Sequence, residues 1–263
     1  MLNFIFSSAV IVEVFICILG LYCILREKGL TAAESYCYSV ILAFSLYSLS
    51  IQSFFLVKLQ SLYYFFDICI VAFFSVQIWK NKRFFSLTCE EFVQLYRDNK
   101  FIVALLISVL SYLFLQVVLL PPSSWDSMTY NLARVFMFQE ERTLFLKNLT
   151  NFAQATYPWG YDILSFLFLR FYSDFGLSLF SFLSYTVIII GTYGLVNKIF
   201  NNVYVSLTSA FIIASLKELV LQATTTKNDI PTAAVAVICF LAGYNFLRSF
   251  KYIHFYIIII SFT

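Results

Sequence analysis

The chain has 263 residues, 61% of them hydrophobic and 12% charged, with a mean hydropathy of +0.86, far from the usage of a water-soluble domain. Its net charge of +3 is spread thinly, with no basic tract, which excludes nucleic acid as a partner on electrostatic grounds. Six cysteines, without CxxC spacing or a Cys/His cluster and mostly within apolar runs, read as small hydrophobes rather than metal or redox ligands.

In chain order, the apolar runs predict an all-α, polytopic transmembrane bundle. Runs of about 20 residues rise far enough at 1.5 Å per residue to cross a hydrocarbon layer of roughly 30 Å. The predicted spans are Leu2 to Leu25, Tyr36 to Leu56, Leu59 to Trp79, Phe101 to Leu120, Phe175 to Val196, Val203 to Leu221 and Pro231 to Leu247. That makes seven, and an eighth begins at Tyr252, beside the lone His254, and is cut short at Thr263. The first run lacks a basic start and a small-residue cleavage site, so it reads as a retained helix in place of a signal peptide. Glu13 and Asp67 fall inside the N-terminal spans, with no role readable from the sequence.

Between Trp79 and Lys100 a polar stretch predicts a short interfacial helix with Thr88 as N-cap and Glu90 and Glu91 in its first turn. Ten of the 17 Lys and Arg residues fall in the connections grouped with Arg26, this stretch, Lys198, Arg248 and Lys251. By the positive-inside rule those connections are cytoplasmic, and the N-terminus and the long connection 121–173 lie outside. Residues 1–100 then hold three spans and a cytoplasmic connector, and 101–263 the core with its outer loop.

The outer loop is too polar to span and too apolar to float. Pro121 and Pro122 end the preceding helix, and Ser123, Ser124 or Asp126 is placed to cap a new one running to about Glu141. Met128, Leu132, Val135 and Phe136 give that helix an apolar face suited to the membrane interface. Asp126, Tyr130 and Arg134 recur every fourth residue on a different face, presenting a carboxylate, a phenol and a guanidinium together. Trp125 stands where interfacial anchors sit. Asn148-Leu149-Thr150 forms a glycosylation sequon. Tyr157-Pro158-Trp159-Gly160-Tyr161 predicts a rigid aromatic turn, and Asp162 to Tyr172 a second juxtamembrane helix. On the same side, Thr226-Lys227-Asn228-Asp229 precedes Pro231 in the first turn of the next span. As an N-cap or dipole partner, each of Asp126 and Asp229 has an ordinary structural explanation. Lys217 and Glu218 are expected to pair inside the membrane near them.

This layout resembles the GT-C superfamily of membrane glycosyltransferases, in particular the family 39 type that includes protein O-mannosyltransferases and lipid A aminoarabinose transferases. The resemblance covers roughly Phe101 to Leu247 and rests on Trp125-Asp126, the Tyr157-Pro158 turn and Thr226-x-x-Asp229. It implies transfer of a sugar from a polyprenyl-phosphate carrier to an acceptor hydroxyl at the outer face of the cell membrane, with inversion. It also implies Asp126 as general base or acceptor-orienting group and Asp229 as its helper at the same site, in some relatives through a divalent metal ion. Tyr130, Arg134, Lys227, Asn228 and Tyr157 would bind substrate or the lipid phosphate. The chain departs from the family in its three preceding spans, in Asn131 where His is expected, and in the absence of later helices after Thr263. A degenerate or non-catalytic membrane subunit, and a transporter of small molecules or lipids, are the competing expectations. They differ in where polar groups gather, since a transporter collects them near the bilayer midplane.

Overall fold

Residues 2–122, 124–146, 154 and 160–262 are described by a computed structural model, and regular structure among them is helical throughout. Among the described residues six helices are long and apolar enough to cross a membrane: α1 (Leu2–Glu27), α2 (Ala32–Leu56), α3 (Tyr63–Lys80, preceded by a 3-10 turn), α5 (Lys100–Leu119), α8 (Leu179–Phe200) and α11 (Asp229–Ser249). Between α3 and α5 lies α4 (Lys82–Asp98), which buries none of its residues. The loop after α5 carries α6 (Leu132–Glu141) and a one-turn α7 (Phe166–Leu169). Short helices α9 (Val203–Ala214), α10 (Lys217–Gln222) and α12 (Tyr252–Ile260) complete the chain order.

Local chemistry sets several of these boundaries. Gly29 closes α1 at φ 76°, a conformation that costs glycine little. A reciprocal capping box opens α2, in which Thr31 Oγ1 accepts from the Glu34 N–H and Glu34 Oε2 accepts from the Thr31 N–H. Asn201 ends α8 in the left-handed region, and Asn202 caps α9 by accepting from the Val205 N–H at 3.2 Å.

Two expected elements differ. The sixth expected span, Val203 to Leu221, is broken: α9 ends after 12 residues and Leu216 is extended (φ −66°, ψ 119°) before α10 starts. Twelve residues rise only about 18 Å, short of a bilayer core. Lys217 and Glu218 sit exposed at the start of α10 and form no ion pair with each other. Thr88 is not an N-cap, because α4 starts six residues earlier. Its hydroxyl instead meets Phe84 O and, at 2.6 Å, Tyr22 Oη, which fastens α4 to α1 together with the 2.6 Å Arg26–Glu91 pair.

Helix α8 is the hub, packed against α2, α9 and α11. Its contact with α11 depends on Gly191, since a Cβ there would lie 2.6 Å from Val237 Cγ1. Gly20 plays the same part between α1 and α3, where a Cβ would meet the Phe74 side chain at 2.6 Å. Small residues at such crossings let helices approach in the absence of a hydrophobic driving force between them.

The N-terminal helices are also locked to the loop by charge. Arg170, just after α7, is buried, with Nη1 2.7 Å from Asp67 Oδ2 on α3 and Nη2 4.0 Å from Glu13 Oε2 on α1. Tyr47 of α2 donates to the other Glu13 oxygen at 3.1 Å, and the rings of Tyr63, Tyr64 and Phe171 surround the guanidinium. The two intramembrane acids without a sequence role are thus the counter-ions of a loop arginine. The start of α1 is tied to the same end, Asn3 Nδ2 donating to Tyr172 O at 3.0 Å and Ser7 Oγ to Ser173 Oγ at 2.5 Å. Gly191→Leu is expected to force α8 from α11 and lower stability by about 1–3 kcal/mol. A thermal unfolding curve in detergent checks this, and an unchanged midpoint would rule out the tight α8–α11 contact.

Candidate active site

The loop helix is anchored before it presents anything. Ser124 serves as its N-cap, with Oγ accepting from the Ser127 N–H at 3.3 Å, while Asp126 already has helical dihedrals and makes no capping bond. Removing the capping duty leaves the Asp126 carboxylate available for other partners. The next five residues, Ser127–Asn131, form a π-turn that leads into α6. A π-turn inserts a residue into the helical ladder and re-aims the side chains that follow it, a device common at functional sites.

The turn's first and last side chains, Ser127 and Asn131, are both buried and both grip one backbone unit of the second connection. Ser127 Oγ accepts from the Thr226 N–H at 3.1 Å, and Asn131 Nδ2 donates to Thr226 O at 3.1 Å. Ser178 at the head of α8 adds a 2.8 Å bond to Thr224 O. Two stretches about 100 residues apart in sequence are thereby docked through their own backbone groups. The residue expected to be His in similar loops is this structural Asn131.

Docking aligns the neighbours of the clamped residues. Asp126 Oδ2 lies 2.5 Å from Lys227 Nζ, each side chain about one-third exposed (33% and 31%). The hydrogen bond to Asp126 raises the Lys227 pKa further above the lysine range, with Asp229 and Glu218 adding to it and desolvation opposing it. Asp229 is exposed in the first turn of α11.

These residues open onto a cavity of about 480 Å³ with two kinds of wall. Asp126, Tyr130, Asn131, Lys227, Asn228 and Asp229 gather in its polar part. The remainder is mainly apolar, formed by Val40, Ile41 and Phe44 of α2, Val187 of α8, Val235 and Ile238 of α11, and Ile260 and Phe262 at the end of α12. Ser45 and Ser48 of α2 interrupt that wall, Ser48 donating to Gly160 O at 3.1 Å. The expected site residues Asp126, Tyr130, Lys227, Asn228 and Asp229 are therefore brought together. Tyr157, with its Pro158-Trp159 turn, and the sequon Asn148-Leu149-Thr150 lie outside the described residues.

Arg134 is elsewhere, which corrects its expected place beside a lipid phosphate. Its side chain is 1% exposed and pairs with Asp162 Oδ2, while Nη1 donates to Gln154 O at 3.0 Å. The π-turn breaks the four-residue rhythm that put Arg134 on the face of Asp126 and Tyr130. Burial pushes the Asp162 carboxyl up to about 6, against the lowering effect of Arg134 and of a hydrogen bond from Asn228. Since Asn228 also lines the cavity, the chain Arg134–Asp162–Asn228 connects the loop core to the site.

The segment 162–172 also differs from expectation. A 3-10 turn (Asp162–Ser165) and α7 bury Ile163, Leu164, Phe166, Leu167 and Phe168, so the segment is packed against its neighbours and has no single apolar stripe. The apolar face expected for the loop helix is divided, with Leu132 and Val135 buried and Met128 and Phe136 exposed. Trp125, 80% exposed, keeps a placement suited to an interfacial anchor.

Among the described residues no three His, Cys, Asp or Glu side chains cluster as a metal site. Asp126 and Asp229, the first already beside an ammonium, do not by themselves supply the six or more oxygens of a calcium cage or the octahedral shell of magnesium.

The fold and site define a helical protein with several helices suited to a membrane bundle and an amphiphilic cavity at one end. No protein-family model, curated protein or solved structure matches the chain.

Asp162→Ala is expected to cost about 3–5 kcal/mol, because it leaves the buried Arg134 cation uncompensated. Pairing it with Arg134→Met should recover most of that loss in thermal unfolding. Equal destabilisation by the single and double variants would contradict the charge argument.

Proposed function

We propose that this protein is a polytopic membrane glycosyltransferase that moves a sugar from a polyprenyl-phosphate carrier to an acceptor hydroxyl at the outer face of the cell membrane. The observation that carries this reading is the two-part cavity. A carboxylate, a lysine and a phenol stand at one end of an apolar trough about 480 Å³ in volume. Carrier lipids have the matching division: a hydrocarbon tail that stays in an apolar wall and a charged phosphate that needs a cation. The resemblance to the GT-C layout, in Trp125-Asp126 and Thr226-x-x-Asp229, supports the same assignment.

In the proposed reaction the acceptor oxygen attacks the anomeric carbon on the face opposite the phosphate. The new C–O bond forms as the bond to the phosphate oxygen breaks, and configuration inverts. Asp126 takes the acceptor's proton, and a carboxylate in this position contributes typically 10²–10⁴-fold. The electron pair leaves with the polyprenyl phosphate, whose added negative charge Lys227 offsets. Lys227 rests on Asp126 at 2.5 Å, which explains how an acid and its counter-ion share the site before substrate arrives. An incoming phosphate competes for that ammonium and releases the carboxylate to act as base. Tyr130 and Asn228 supply hydrogen bonds, and Asp229 orients the acceptor.

Asp126→Asn keeps the shape and removes the base. Sugar transfer from a short-chain polyprenyl-phosphate hexose in isolated membranes is expected to fall by about 10²-fold or more, with membrane insertion unchanged. Undiminished transfer by that variant would remove Asp126 from the chemistry. Lys227→Gln is expected to lower transfer and weaken binding of the sugar-free polyprenyl phosphate, whereas Arg134 variants should act through stability alone.

A further inference from the structure

A second cavity, about 260 Å³, lies at the opposite end of the bundle, between the start of α2 and the ends of α8 and α11 where α12 begins. It shares no lining residue with the first. Lys198, Arg248 and Lys251 bring three cations to it, and Glu34 is its sole lining acid. That acid is fully engaged. Its carboxylate accepts from the Thr31 N–H at 2.7 Å, from the Thr31 hydroxyl at 2.8 Å and from Lys198 Nζ at 2.7 Å.

Arg248 and Lys251 have no such partner. Among the described residues neither forms an ion pair, and the Arg248 guanidinium is stacked over the Tyr244 ring, 5.1 Å from its centroid. Stacking holds the planar fork in place while leaving its N–H donors for an acceptor. Asn245 and His254 also line the cavity, and both meet the Tyr38 hydroxyl, Asn245 donating to Oη at 3.4 Å and His254 Nδ1 lying 3.0 Å from it. The pocket thus carries two positive charges without an ion-pair partner beside hydrogen-bonding side chains, which is the chemistry that recognises a phosphate ester.

The chain neighbours of the two cations say which phosphate. Leu247, Phe250 and Tyr252, interleaved in sequence with Arg248 and Lys251, are about 70% exposed (73%, 70% and 73%). Exposed apolar and aromatic side chains alternating with basic ones suit the headgroup boundary of a bilayer, where the former meet acyl chains and the cations meet phosphate. A soluble phosphate would have no use for those apolar side chains. We infer that this cavity is a binding site for the phosphate headgroup of an acidic membrane phospholipid, separate from the cavity that holds Asp126.

The test uses the whole chain, purified in detergent, stripped of lipid and titrated with phosphatidylglycerol or with phosphatidylcholine of the same acyl chains. Bound lipid is counted by native mass spectrometry and the thermal midpoint followed in parallel. Phosphatidylglycerol is expected to bind and raise the midpoint, and phosphatidylcholine to do neither. The double substitution Arg248→Gln/Lys251→Gln should weaken phosphatidylglycerol binding about tenfold or more, two surface cations being removed. Arg248→Lys, which keeps the charge and loses the stacked fork, should bind less than the native chain and more than the double variant, which separates loss of charge from loss of fold. Equal binding of the two lipids, or undiminished phosphatidylglycerol binding by the double variant, would overturn the inference. Full displacement by millimolar inorganic phosphate would also overturn it, assigning the pocket to a soluble anion.

Discussion

The grip of Ser127 and Asn131 on the backbone of Thr226 is the constraint from which the site follows. Both bonds are buried, so each replaces water that the Thr226 amide and carbonyl would otherwise require. A backbone unit held at donor and acceptor together has little freedom to rotate. Its neighbour Lys227 is therefore delivered to Asp126, which sits one residue before the gripping turn. Shift either connection by one residue and the carboxylate faces a different side chain. The π-turn matters for the same reason, since it sets where the two gripping side chains point.

Among the described residues the buried charges are paired. Arg134 is closed off by Asp162, and Arg170 by Asp67 and Glu13. A buried ion pair is weak evidence for stability in itself, and its value lies in fixing geometry that an unpaired charge would break. Both arginines belong to the loop, one holding α6 over the 3-10 turn at Asp162 and the other holding the loop's far end against α1 and α3. The described parts of the loop are consequently packed against the bundle and do not form a flap over it. The lysine at the cavity is different, being one-third exposed and able to exchange partners.

Much of the candidate cavity's polar lining was legible because chemistry-bearing residues are rare in so apolar a chain. Asp126, Tyr130, Lys227, Asn228 and Asp229 stood out as polar groups at the ends of predicted spans, and they line one cavity. Other features carry no sequence signature. A π-turn adds one residue to a helix without altering hydrophobic pattern, so Arg134 was placed on the wrong face. Asp162 read as the polar start of an amphipathic helix because its partner is 28 residues away. Phe44, Ser45 and Ser48 belong to an ordinary apolar span, and only packing of α2 on α8 and α11 makes them a cavity wall. The break at Leu216 coincides with Lys217-Glu218, a charged pair that an unbroken span would have to bury and that the break leaves exposed at a helix start.

The central claim is that the polar cluster and the apolar trough serve one amphiphilic carrier, and labelling tests it most directly. A polyprenyl phosphate bearing a photoreactive group near the phosphate end of its chain is irradiated with the protein in membranes, and the modified peptides are mapped. Labels should concentrate on the segments of α2 and α11 that hold Val40 to Ser48 and Pro231 to Ile238, and excess sugar-free carrier should suppress them. Labels spread over the outward faces of α3 and α5, insensitive to that competitor, would contradict the account.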